Sequence, residues 1–123
     1  RGGAGRGVSG GRVRCYGGRS GARRPMGGSE EGLIEELLSP DLTDDFEMVH
    51  STFAPHSSMQ EPTMRPTQEV GYVISGRLEL RIGDQSFSVG PGDSFRIRGE
   101  EYHWANPHDE ACVAIWVIAP PVY

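Results

Sequence analysis

From Gly32 onward the large apolar side chains come in short runs broken by turn residues, and within the runs they recur at every second position. A period of two marks strands with one buried and one wet face, and no stretch carries the 3.6-residue period of a helix. The pattern predicts eight strands, over residues 33–38, 46–53, 69–75, 77–82, 87–89, 94–98, 102–106 and 111–119. Leu78, Leu80 and Ile82 alternate with Arg77, Glu79 and Arg81, and Gly83-Asp84 then supplies the residues of a tight hairpin turn. Ser39-Pro40-Asp41, Ala54-Pro55, Gly90-Pro91-Gly92-Asp93 and Asn106-Pro107 end other runs. On the second strand Phe46, Met48 and His50 share one face, which predicts a packed, hydrogen-bonded core His50. The last strand, from Ala111 to Ile118, is apolar on both faces, so both require cover, and a second copy of the chain is the expected cover for the outer one. The expected fold is all-β, an antiparallel double-sheet roll or barrel.

Composition divides the chain in two. Residues 1–30 form a Gly/Arg-rich tail or linker, and residues 31–123 form the barrel. Residues 1–28 hold eleven of the eighteen Gly and seven of the twelve Arg. They have too little apolar area to offset the backbone entropy of folding, which predicts disorder. With few aromatic side chains for stacking on bases, this segment reads as a linker rather than a nucleic-acid-binding arm. The net charge of -5 conceals a strongly acidic barrel, because residues 25–123 carry five Arg against all seventeen acids. A surface that acidic repels a phosphate backbone.

The barrel has roughly 90 residues, a size at which burial against a second copy adds materially to stability. A homodimer is therefore expected. Cys15 lies in the tail and Cys112 inside an apolar run, a poor arrangement for a disulfide, so both are expected as reduced thiols. With no run of 18 apolar residues and no basic-then-apolar leader, the expected location is cytoplasmic, without membrane contact. No Ser/His/Asp arrangement stands out and no Gly-rich phosphate loop follows a strand.

Two segments carry a family signature in altered form. Glu69, six spacers and Gly76 match the end of the first cupin motif, in which Gly, five spacers and His-x-His precede the Glu. Counted back from Glu69, the two His positions hold Thr63 and Arg65, and the leading Gly position holds Ser57. Gly92 opens the second motif, with Arg98 at the position of its Pro, but the remainder is one residue short. Counted forward from Gly92 the motif His falls on His103, and counted back from Asn106 it falls on Tyr102. Neighbours on a strand face opposite ways, so at most one points into the barrel, and Tyr102 is the one expected there.

The chain thus resembles the cupins, and from Gly32 onward it is similar to the cupin half of bacterial regulators that carry a helix-turn-helix, the polyamine-utilisation repressor among them. The resemblance implies a double-stranded β-helix that senses a small molecule. DNA would be reached only through a helix-turn-helix outside this chain. A cupin metal is held by three His and a carboxylate, but here only Glu69 and, in one register, His103 remain. Arg65 is always protonated and repels a cation. No cofactor is therefore expected, a residual divalent metal being the lesser alternative.

The candidate ligand-binding residues are Thr63, Arg65, Glu69, Tyr102, His103 and Trp104, with no catalytic residue assigned. Arg65 either offers its donors to a small polar or anionic organic ligand or forms a salt bridge with Glu69. Trp104 either walls the pocket beside Tyr102 and Asn106 or is plain core. A solvated loop position is expected for His56 and His108, with His56 also within reach of the barrel mouth. The expected function is a ligand-sensing module of a transcriptional regulator. The alternatives are a stand-alone metal-dependent oxygenase or isomerase and a barrel retained only for dimerisation.

Overall fold

The computed structural model describes residues 24–25, 31–40 and 42–122, so the expected tail, including Cys15, lies almost wholly outside the described residues. All regular elements among them are strands: β1 (Arg24–Pro25), β2 (Leu33–Leu37), β3 (Glu47–Phe53), β4 (Ser57–Ser58), β5 (Gln68–Ser75), β6 (Leu78–Ile82), β7 (Gln85–Val89), β8 (Ser94–Arg98), β9 (Tyr102–Asn106) and β10 (Cys112–Ala119). They form a six-stranded sheet in the order β1-β2-β3-β10-β5-β8 and a four-stranded sheet in the order β4-β9-β6-β7, with every pairing antiparallel. No helix among the described residues is long and apolar enough to cross a membrane.

The eight strands announced by alternation are all present. The two additions, β1 and β4, are two residues long and carry no apolar alternation, so their pairing with β2 and β9 is dictated by position rather than by pattern. At the β6–β7 hairpin, Gly83 takes φ 60°, the left-handed conformation that a two-residue turn demands of its first residue.

The core lies between the sheets and is knit by aromatic rings. Phe53 meets Trp104 edge-on at 4.7 Å, and Phe95 meets Trp116 edge-on at 4.9 Å. Trp104 is therefore core and only 2% exposed. Gly71 makes the second contact possible, because a Cβ at that position would lie inside the Phe95 ring. Cys112 is a free thiol, and burial pushes its pKa up to about 11, which leaves it in the unreactive protonated form.

One expectation is reversed on β3. Glu47, Val49, Ser51 and Phe53 face the core, whereas Met48 and His50 point outward beside the exposed Phe46. Both phases of this strand carry apolar residues, so alternation alone leaves the phase open. The inward phase puts Phe53 against Trp104, and its one ionisable member, Glu47, accepts a hydrogen bond from the Val122 backbone N–H at 2.6 Å. His50 is a half-buried residue of the outer face rather than a core histidine.

At one end of β9, Asn106 ties three segments together. Fully buried, it directs its Nδ2 group at the carbonyl oxygens of Phe53, Ala54 and Glu110, at 3.0–3.1 Å, and accepts from the His108 N–H. It is a structural clamp rather than a pocket wall. Asn106→Ala removes a donor from each of these carbonyls, of which Ala54 keeps the Ser57 hydroxyl at 2.7 Å, and is expected to cost about 1–3 kcal/mol, read as a lower urea midpoint with an unchanged slope.

Candidate ligand-binding site

The opposite end of the barrel is organised by a row of inward side chains. Across the six-stranded sheet, Glu47 on β3 is level with Ile118 on β10, Ile118 with Glu69 on β5, and Glu69 with Ile97 on β8. The approach to β5 then folds over this row. Thr63 exchanges two backbone hydrogen bonds with Tyr102, at 2.8 and 2.9 Å, and the Thr67 N–H donates to the Arg65 carbonyl at 2.8 Å. That i to i+2 bond closes a turn about Pro66, whose ring already holds φ near the value the turn needs. The turn sets Arg65 and Thr67 on the same side, above Glu69.

Glu69 is completely buried and accepts from four donors. Arg65 Nε and the Thr67 hydroxyl reach Oε2 at 2.9 and 2.6 Å, and Trp116 Nε1 and Arg65 Nη2 reach Oε1 at 2.7 and 3.3 Å. Burial pushes the pKa of this carboxyl up, but the bonds from Arg65, Thr67 and Trp116, with the Arg65 charge, outweigh burial and hold it below the ordinary value.

Two further carboxyls share this field. Glu47 is buried in the same row, and Glu35 projects inward from β2, cross-strand from Ser51. The Glu35 pKa is raised, chiefly by burial and next by repulsion from Glu47; Arg65 opposes the rise and Glu69 adds to it. Three carboxyls thus face one guanidinium. The Ser51 hydroxyl, buried on the same inner face, has no hydrogen-bond partner among the described residues.

The candidate residues divide accordingly. Thr63, Arg65, Glu69 and Tyr102 come together at this end, and Trp104 lies deeper in the core. His103 does not join them: it lies on the outer face of the four-stranded sheet, with Nε2 3.0 Å from the Met59 carbonyl oxygen. The reason is local. Gly99 takes φ 85° at the turn after β8, so the missing residue precedes it and the register is counted from the Asn106 side. That register turns Tyr102 inward, where it is 5% exposed. His56 pairs with Asp109, and His108 with Glu79, each at 2.8 Å, beyond the Asn106 end of the barrel and away from this mouth.

Sequence reasoning missed Glu35, Glu47, Ser51, Thr67 and Trp116. The alternation of Glu47 with Val49, Ser51 and Phe53 was the available signal for two of them. Nothing in the sequence alone set Trp116 level with the strand that carries Glu69.

These residues do not fit a cupin metal. Both oxygens of the one remaining motif carboxylate are engaged by donors, two His positions hold Thr63 and Arg65, and the third holds Tyr102. No His, Cys, Asp or Glu group of three among the described residues is arranged to hold an ion. Because the folded pKa of Glu69 lies below its unfolded value, its contribution to stability is complete above about pH 4.5 and is lost as pH falls through the lowered value. Trp116→Phe removes one donor and is expected to cost about 1–3 kcal/mol at pH 7. It should also move the acid limb of the urea-midpoint profile toward neutral pH.

The family model described as Cupin domain matches residues 49–118, more than half of the chain. The cupin domain of an XRE family transcriptional regulator from Enterobacter cloacae is similar at 23% identity and TM-score 0.63, over 75% of this chain and 100% of that one. The polyketide cyclase RemF from Streptomyces resistomycificus is similar at 21% identity and TM-score 0.74, over 86% and 80%. KdgF from Halomonas sp. is similar at 18% identity and TM-score 0.70, over 85% and 93%. At these identities the structures speak for the fold alone. No curated protein sequence matches the chain. The matched family, with the two facing antiparallel sheets and the Glu69-to-Gly76 signature, establishes that this chain belongs to the cupin family.

Proposed function

We propose that this cupin binds a small polar organic molecule inside the barrel, as the sensor module of a transcriptional regulator whose DNA-binding domain lies outside these residues. The observation that carries the reading is the state of Glu69. The carboxylate that would hold a cupin metal is spent on Arg65, Thr67 and Trp116, which leaves binding rather than metal chemistry for the interior. Glu35 and Ser51 remain as polar groups on the inner face, cross-strand from each other. The regulator reading follows the resemblance of the sequence from Gly32 onward, and the cupin domain of an XRE family regulator shares this fold over its whole length. The thiol of Cys112 suits a reducing cytoplasm.

The charge balance narrows the ligand class expected from sequence. Arg65 is held by Glu69, and Glu35 and Glu47 add negative potential, so a neutral or cationic polar ligand is favoured over an anion. A ligand communicates with an attached domain only by binding one conformation better than another.

The test combines metal analysis with ligand screening on protein purified without chelator. Iron, manganese, nickel and zinc should all be far below one per chain. Small polyols or amines should raise the melting temperature more than the matching carboxylates, and Glu35→Gln should abolish that gain. The Glu35 pKa is raised, so its stabilising effect is complete below about pH 4.5 and is lost as pH rises through the raised value. Glu35→Gln should therefore make the unliganded protein more stable at pH 7, which separates lost binding from lost folding. A stoichiometric transition metal whose retention depends on Glu69 would overturn the proposal.

A further inference from the structure

The arginines of the barrel fall into two groups. Arg65 pairs with Glu69, Arg77 donates to the Ser88 hydroxyl, and Arg81 pairs with Glu101 at 3.6 Å. Arg96 and Arg98, both exposed on β8, have no partner for their guanidinium groups among the described residues. Residues 25–123 carry seventeen acids against five Arg, so two unmatched cations on one strand are not a shortage of carboxylates.

They follow from what the neighbouring strands present. Arg98 on β8 is level with Gln68 on β5, and Gln68 with Ala119 on β10, while Arg96 is level with Val70. Along the whole of β5, β8 and β10 no outward residue is acidic. The two acids that flank β8 are turned to backbone, Glu100 accepting from the Arg98 N–H and Asp93 from the Gly90 N–H. The exposed Gln68 side chain is likewise without a partner among the described residues.

Gln68 and Arg98 line a cleft of about 580 Å³ together with Gly99, Pro66 and Pro120. Sites for small molecules span roughly 300–1,000 Å³, so the cleft is of that size. It lies outside the barrel, because Gln68 and Glu69 are neighbours on one strand and face opposite ways. Guanidinium forks take carboxylate or phosphate. Alternate residues of a strand stand roughly 7 Å apart on one face, a spacing from which two long side chains reach a single anion. Two cations and an amide, with no carboxylate among them, match a dianion better than a monoanion, and a phosphate monoester carries nearly two charges at neutral pH. The prolines give its carrier an apolar wall.

We infer that this outer cleft binds the phosphoryl group of a small organic phosphate monoester, with Arg98 and Gln68 as direct donors and Arg96 as the second cation. The inference stands apart from what the barrel interior binds.

Calorimetric titration of the full chain at fixed ionic strength, with phenyl phosphate, inorganic phosphate and benzoate as probes, should rank them in that order of affinity. Phenyl phosphate should bind at least tenfold more tightly than benzoate. Arg98→Gln and Gln68→Glu should each weaken phenyl phosphate at least tenfold, the second because it places a carboxylate opposite Arg98. Both positions are exposed, so the circular dichroism spectrum should stay unchanged. Arg96→Gln should weaken binding by a smaller factor, and Arg81→Gln, on the other sheet, should leave it unaltered. No phosphate binding, binding that survives Arg98→Gln and Gln68→Glu, or an equal loss on Arg81→Gln would remove the site. Benzoate as tight as phenyl phosphate would overturn the dianion, and inorganic phosphate as tight would overturn the apolar carrier.

Discussion

A single buried carboxylate sets the terms for one end of this barrel. Glu69 has no exposure to water, and an ionised carboxyl in that position is tolerable only if its oxygens are filled by donors and its charge is matched. Arg65 supplies the charge and two donors, the Thr67 hydroxyl supplies a third, and the Trp116 indole supplies a fourth. These come from the entry to β5, from the first turn before it and from β10. Satisfying one side chain therefore fixes the path of residues 63–67 and the orientation of the central core ring. Through its contacts with Phe95, Phe53 and Tyr102, Trp116 carries that constraint into both sheets.

The two ends of the barrel solve opposite problems. At the Asn106 end the difficulty is unpaired backbone, and a neutral amide resolves it by offering its N–H groups to three carbonyls while accepting from His108. At the Glu69 end the difficulty is surplus negative charge. There the polar groups are only partly reconciled, since Glu35 is pushed toward its protonated form, and the Ser51 hydroxyl cross-strand from it has no hydrogen-bond partner among the described residues. A fully satisfied polar cluster rigidifies a fold and excludes ligands. The incompletely satisfied end is the one with chemistry to spare.

The strands were legible in the sequence because period-two alternation needs no tertiary information, and β6 with its Gly83 turn shows this most plainly. The facing of β3 was not, because Phe46 and Met48 compete with Val49 and Phe53 for the inner face. Only pairing with β10 and the hydrogen bond from Val122 to Glu47 decide between them. The choice between Tyr102 and His103 rested on a one-residue shortfall whose position was ambiguous by counting, and the left-handed Gly99 locates it. The site was half legible. Arg65 and Glu69 lie within a few residues of each other and near motif positions, whereas Glu35, Glu47 and Trp116 reach them only through sheet register.

The Arg65–Glu69 pair also limits what mutagenesis at this site can teach. Removing Arg65 alone leaves a buried charge uncompensated, which costs about 3–5 kcal/mol in comparable settings. Arg65→Ala would therefore lose ligand binding, stability or both without saying which. Replacing the pair together by apolar residues of similar volume removes the charge as well as its partner, and such exchanges are often neutral in stability. If the double replacement folds and keeps its ligand, the ion pair is scaffolding and recognition lies with Glu35 and its neighbours. If it folds and loses the ligand, the guanidinium reaches past Glu69 to the bound molecule. The fold supports this distinction because Glu35 lies on β2, outside the β5 entry that Arg65 and Thr67 hold in place.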